Sequence, residues 1–200
     1  LAPMARWDPT GLRNPRMGEV KDFPWDDEHD DASQFALHAA GQALAGYPAP
    51  GEVGLVSSTN FGGAASWDQY LAFLQEDAVT AEAAELFREF TFSRTAELLA
   101  ERFGLGGPAR VLSLSCSSGT AVLGQGLDLL RLGKAAAVLC EGHDSLAFSS
   151  LAGLSILRTI THEEIRPFDA RRNGTLFGEG AAALLLEELA HARARRATIY

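Results

Sequence analysis

Hydrophobic positions follow two patterns along this chain, and the two divide it. Over Leu1–Asp31 they are short patches, Val20, Phe23 and Trp25, scattered among Pro, Gly and Asp. That pattern predicts an extended segment lying over a surface rather than a folded element. From residue 32 onward, apolar runs of strand length alternate with helical spacings. The chain is therefore read as an extended segment, 1–31, followed by one α/β domain, 32–200.

Within that domain a helix is expected from about Ser33 to Ala45, capped by Asp30 or Asp31. Its alanine-rich side suits close contact with something flat, and Gly46, Pro48 and Pro50 end it. Glu52–Thr59 reads as a strand. The loop Asn60–Phe61–Gly62–Gly63 follows, its glycines marking either a tight turn or close approach to a ligand. Short helices are expected over Trp67–Leu74, over Ala81–Phe90 behind Thr80, and over Arg94–Phe103 behind Ser93. Phe87, Phe90, Phe92 and Phe103 read as core or interface.

The run that opens at Arg110 reads as a buried strand, and Thr120–Leu132 as a helix with Leu123, Leu127, Leu130 and Leu132 on its apolar side. Gly124 and Gly126 inside that helix cost about 1 kcal/mol each relative to alanine, which points to tight contact with a neighbour. Ala135–Cys140 is a second apolar strand, Leu146–Leu157 a short buried helix, and Thr161–Thr175 a polar loop. Ala181–Leu186 is a third apolar strand, and Glu187–Arg195 a helix acidic at its start and basic at its end. Ile199–Tyr200 resembles a strand start, so the ending reads as a cut.

Two apolar strands joined by a helix make a β-α-β unit, and so a parallel pair covered on both faces. A right-handed crossover brings their C-terminal ends to one edge. Cys116 and His143 are then expected on that edge.

Charge and composition remove several function classes. The chain has 200 residues, 46% of them hydrophobic, enough for one sizeable core. Its net charge is -9, from 26 acidic and 17 basic residues, with no basic patch, so nucleic acid is not an expected partner. Asp22, Asp26, Asp27, Glu28, Asp30 and Asp31 read as a solvated linker leading into a helix cap. No apolar run reaches membrane-spanning length, and Leu1 onward shows no signal pattern; no membrane association is expected. Cys116 and Cys140 do not make a secreted disulfide framework, and a reducing cytoplasm fits them. The five histidines lack metal-ligand spacing, so no metal site is expected.

Cys116 is the leading catalytic candidate. It ends a strand at the mouth of a helix, where unpaired N–H groups and positive potential favour a thiolate. The same donors can stabilise an oxyanion on an attacked carbonyl. The competing reading is a buried structural thiol. Cys140, inside its strand, reads as core. His143 stands as a base or a loop ornament, and Glu179 as an acid–base group or a loop anchor. Two classes follow: a thiol-nucleophile acyltransferase or hydrolase, and a non-catalytic subunit or dimerisation module that keeps the fold.

Ser115–Cys116–Ser117–Ser118–Gly119 resembles the nucleophile block of the β-ketoacyl-acyl carrier protein synthases, the condensing enzymes of fatty acid and polyketide synthesis. Arg166–Pro167–Phe168–Asp169, Arg171–Arg172–Asn173–Gly174, Gly178–Glu179–Gly180–Ala181 and Leu185–Leu186–Glu187 resemble further blocks of that family in order and spacing. Gly18–Glu19–Val20 with Asp22–Phe23, and the Asn60–Gly63 loop, resemble its earlier segments, so the resemblance covers nearly the whole chain.

The resemblance implies a thiolase-like α/β fold, layered α-β-α-β-α, of which this chain carries most of the first of two similar halves, cut at both ends. It implies Cys116 as the acyl-accepting nucleophile, with its own N–H as an oxyanion donor. It implies acyl transfer to Cys116 and then decarboxylative condensation with malonyl carrier protein. The partners implied are acyl carrier protein with phosphopantetheine-bound acyl and malonyl groups, and a second subunit in a homodimer or heterodimer. The strand before Cys116 is expected near that dimer interface. No cofactor is implied. The family's catalytic histidines, lysine and second oxyanion loop belong to the other half, so this piece alone is expected to be inactive and prone to aggregate through an uncovered apolar face. The alternative is a non-catalytic, chain-length-factor-like dimer partner. Asn173 in place of Asp, Leu176–Phe177, and Glu141–Gly142–His143–Asp144 in place of Gly-Gly-small-Glu are departures from the family pattern.

Overall fold

The computed structural model describes residues 1–26, 28–75 and 80–200. Asp27 of the acidic cluster lies outside them. The N-terminal segment is extended, as expected, but more ordered than a plain strap. Its strands β1 (Ala2–Pro3) and β2 (Arg16–Met17) pair antiparallel. Met17 is buried against Leu146 and Leu151.

Helix α1 spans Asp31–Ala43, and Asp30 caps it by accepting a hydrogen bond from the Ala32 N–H. Strand β3 (Val53–Ser58) is buried throughout. Helices α2 (Ala64–Gln75), α3 (Ala81–Phe90) and α4 (Arg94–Phe103) follow, with the Thr80 side chain capping α3 as its sequence predicts. Trp67 of α2 stacks on Phe90 of α3 at 4.7 Å. Strand β4 (Ala109–Leu112) leads to the Cys116 turn and α5 (Ser118–Arg131). Strand β5 (Ala137–Asp144), helix α6 (Phe148–Ile156), strand β6 (Gly180–Glu187) and helix α7 (Leu189–Ala194) complete the order.

The main sheet has the order β4-β3-β5-β6, with β3 parallel to both β4 and β5, and β6 antiparallel to β5. Alternation along the strands feeds two cores. Val53, Leu55, Ala137 and Leu139 meet Ala36 and Ala40 of α1 and Leu99 of α4 on one face. Val56, Val138 and Cys140 meet Val122, Leu129 and Leu130 of α5 on the other. This is a mixed sheet between helices, the thiolase-like α/β half that the sequence leads one to expect.

Five local expectations are corrected. The strand before Cys116 is not buried: Ala109 and Arg110 are exposed, because β4 is the sheet's edge and has a partner only in β3. It is also not adjacent to β5, since β3 lies between them. The buried side of α5 is Val122, Gly126, Leu129 and Leu130, while Leu123, Leu127 and Leu132 are exposed. Helix α6 buries only Leu151. Ile199 and Tyr200 are exposed and form no strand.

Candidate active site

β4 stops at Leu112, and the chain must turn sharply before α5 starts at Ser118. Ser115 takes a left-handed φ of 53°, which costs an L-residue of order 1–3 kcal/mol unless its surroundings hold it. They do. The Ser118 side chain accepts from the Leu114 N–H and donates to the Ser115 carbonyl, both at 2.7 Å. The Ser117 hydroxyl donates to the Leu114 carbonyl at 2.7 Å. The serines around Cys116 therefore clamp the turn. Cys116 itself is exposed, which removes the buried-thiol reading for it.

Below this turn opens a cleft of about 710 Å³. The ends of β3 and β5, the start of α5, helix α6 and the loop before β6 all line it. Cys116 and His143 both border the cleft, as the shared sheet edge predicts. Their environments differ. His143 is buried, and its Nδ1 lies 3.0 Å from both carboxylate oxygens of Glu141, which is fully buried. Ser57 donates to the same carboxylate at 2.8 Å. Burial opposes a charge on the His143 ring, but the Glu141 carboxylate beside it, aided by Asp144 and Asp30, holds its pKa above the usual value.

Asp144 ties the cleft together. Its Oδ1 accepts from the Thr59 hydroxyl at 2.7 Å and from the Asn60 and Phe61 N–H groups at 2.9 Å each. The glycine loop is thus fixed from β5. Its glycines serve close approach to protein: a Cβ on Gly63 would stand 2.3 Å from the Glu89 carbonyl oxygen. Glu179 takes the anchor role. Its carboxylate accepts from Arg6 at 2.7 and 3.1 Å, from the Val20 N–H at 2.9 Å and from the Leu146 N–H at 3.1 Å. No lone pair is left conveniently placed for acid–base work. Asn173, at the position of the family's aspartate, accepts from the Thr161 hydroxyl.

Cys140 is core, as expected. It is 2% exposed, its Sγ contacts the Val122 carbonyl at 3.3 Å, and burial pushes the thiol up to about 11. The Glu141–His143 pair is what the residue reading missed. Its signal lay in the strand's length: β5 continues past Cys140, and alternation then puts Glu141 and His143 on one face.

A mixed sheet between helices, with a strand–helix turn over a cleft, is the arrangement of the thiolase-like fold. The chain belongs to the β-ketoacyl synthase family, since the model of the "Beta-ketoacyl synthase, N-terminal domain" matches residues 5–192. It is 31% identical to the tetracenomycin polyketide synthase ketoacyl synthase alpha subunit of Streptomyces glaucescens, over 86% of this chain and 45% of that protein. It is 27% identical to 3-oxoacyl-[acyl-carrier-protein] synthase 2 of a Synechocystis strain, over 100% of this chain and 53% of the relative. Among solved structures, the ishigamide ketosynthase/chain length factor superposes with a TM-score of 0.88 at 26% identity, over 99% of this chain and 53% of that one. The chain spans about half the length of the curated relatives it matches. Among the described residues, no helix is long and apolar enough to cross a membrane.

Proposed function

We propose that this chain is the nucleophile-bearing half of a β-ketoacyl-acyl carrier protein synthase. The observation that carries the reading is Cys116: an exposed thiol on a clamped turn, at a helix start, beside a cleft of about 710 Å³. Its thiolate attacks the thioester carbonyl of an acyl group on the phosphopantetheine arm of acyl carrier protein. The arm's thiol leaves, and the acyl group stays on Cys116. Malonyl carrier protein then loses carbon dioxide, and the resulting carbanion attacks the Cys116 thioester. The product is a β-ketoacyl carrier protein two carbons longer, with Cys116 released as thiolate. Covalent catalysis splits one hard step into two, and donors at the helix start stabilise the tetrahedral oxyanions. The groups that assist decarboxylation belong, by the family resemblance, to the other half. The working assembly is a homodimer, or a heterodimer with a related subunit.

Intact mass tests this. The complete protein is incubated with acyl carrier protein bearing a mass-tagged acyl group, beside Cys116→Ala. The expected outcome is one acyl adduct on the parent protein and none on the variant. A well-folded complete protein that takes no adduct is instead a non-catalytic subunit of the same fold.

A further inference from the structure

The cleft runs across the ends of the strands. Cys116 follows β4 at one edge of the sheet, and the chain enters β6 at the other edge, with β3 and β5 between them. Register sets these ends level. Ser58 of β3 pairs with Leu112 of β4 and Gly142 of β5, and Asp144 of β5 pairs with Gly180 of β6. Cys116 and the residues just before β6 border the same cleft. Three strand spacings lie between the two sides, about 14 Å. An extended chain of roughly ten C–C bonds covers that span. Much of the lining is apolar, Val122, Leu123, Leu154 and Leu184 among it, which suits a methylene chain.

Phe177 stands at the β6 side. It borders the cleft, is half-buried, and packs on the buried cluster of Met17, Leu146 and Leu151. Its backbone is fastened as well. The Phe177 carbonyl accepts from the Gly18 N–H at 2.9 Å, and the Glu179 carboxylate two residues on is held by Arg6 and the Val20 and Leu146 N–H groups. A Cβ on Gly18 would stand 3.1 Å from Gly178 Cα, so the N-terminal segment lies directly against this loop. Met17 is 2% exposed and Leu151 1%, so the packing behind the ring is closed. A bulky side chain with its backbone and its backing both fixed does not swing aside cheaply.

We propose that Phe177 is the stop that sets acyl-chain length: the chain on Cys116 lies across the strand ends, and its tail meets the Phe177 ring. Chains much beyond roughly ten carbons are then rejected. This rests on Cys116 being the acyl acceptor.

The test uses the complete protein and acyl carrier protein loaded with saturated chains from hexanoyl to tetradecanoyl. Rates of Cys116 acylation are read by intact mass for the parent, Phe177→Leu, Phe177→Ala and Leu99→Ala, whose cavity lies in the core under α1. The parent's rate is expected to drop sharply near ten carbons, since a pocket that cannot house one more methylene discriminates by about 10–200-fold. Both Phe177 variants are expected to raise the rate of the first rejected chain at least about tenfold, with the hexanoyl rate kept within about twofold. Leu99→Ala is expected to keep the parent's cut-off, which separates a stop from general loosening. Phe177→Leu decides the matter if Phe177→Ala does not fold by circular dichroism. A parent with no drop, or a cut-off unchanged in every folded Phe177 variant, overturns the stop while leaving the nucleophile in place. Labelling by no chain length removes the acceptor reading, and the stop with it.

Discussion

The two cysteines show how surroundings decide what one side chain does. Cys116 stands in solvent on the turn, whereas Cys140 is 2% exposed and its thiol is pushed up to about 11. At pH 8 the Cys140 thiolate is therefore about one part in a thousand. Iodoacetamide at that pH is expected to label Cys116 and to leave Cys140 untouched until denaturant is added, read by peptide mass mapping. Equal labelling in the native state would contradict the seat of α5 on β5. The Glu141–His143 pair makes a second prediction. A histidine whose pKa is raised by folding contributes stability in full below its ordinary value of 6.5. That contribution fades as the pH rises through the raised value. Urea midpoints are expected to fall from pH 6 to pH 8.5 for the parent and to fall less for His143→Leu. Glu141→Gln, which leaves the buried ring without its carboxylate, is expected to cost about 3–5 kcal/mol at pH 6.

Among the elements, α5 is the most exacting. An added Cβ at Gly126 would stand 2.3 Å from Cys140 Sγ and 3.2 Å from Leu186 Cδ1, whereas Gly124 has nothing within 4 Å. Gly126→Ala is expected to push the helix off the sheet at a net cost of about 1–3 kcal/mol. Gly124→Ala is expected to gain up to ~1 kcal/mol from helix propensity. Denaturation midpoints of the two variants should move in opposite directions. The sequence had marked both glycines for tight contact, and only one has it. Propensity registers that a glycine is costly in a helix, but not which face the helix turns to its neighbour. The same blindness explains Leu123 and Leu127, whose helical spacing is sound but whose side chains face away from the sheet. Two caps were legible because they are local, Asp30 and Thr80 each bonding an N–H two or three residues on, but Ser93 takes helical dihedrals before α4 and its side chain makes no cap bond. The edge position of β4 was not legible, because strand order depends on pairing between distant residues, and Val111 and Leu112 look alike at an edge or in a centre. The cysteine turn was legible in its place between a strand and a helix but not in its strain, which is held by serine hydroxyls bonding backbone across three or four residues.

At the scale of the molecule, the surface carries more apolar side chains than the two cores account for. Leu114, Ile156, Leu157 and Phe168 are 54%, 80%, 70% and 101% exposed. These belong to the Cys116 turn, the end of α6 and the Pro-Phe-Asp block. Exposed apolar side chains gathered in this way mark a surface suited to contact with another element or subunit.

The ordering of the N-terminal segment depends on one buried carboxylate far from it in sequence. Arg6 bridges Asp31 at the start of α1, at 2.8 Å, and Glu179 in the glycine loop before β6, at 2.7 Å. Gly18 pairs with that loop as well, its N–H donating to the Phe177 carbonyl and its carbonyl accepting from the Glu179 N–H. The Glu179 side chain is fully buried, so removing it leaves Arg6 with Asp31 as its one carboxylate partner and orphans the Val20 and Leu146 N–H groups together. Glu179→Ala is expected to destabilise the fold by about 2–4 kcal/mol, mostly from the two unpaired N–H groups. Its effect on order should be local first. Protease cleavage within residues 1–20 should accelerate under conditions that leave 31–58 intact, because the sheet core does not involve Glu179. Glu179→Gln keeps acceptor capacity for the backbone donors but loses the charge facing Arg6, and it should fall between the parent and Glu179→Ala. If Glu179→Ala were digested no faster than the parent over 1–20, the segment would be held by Met17 burial rather than by the Arg6 bridge.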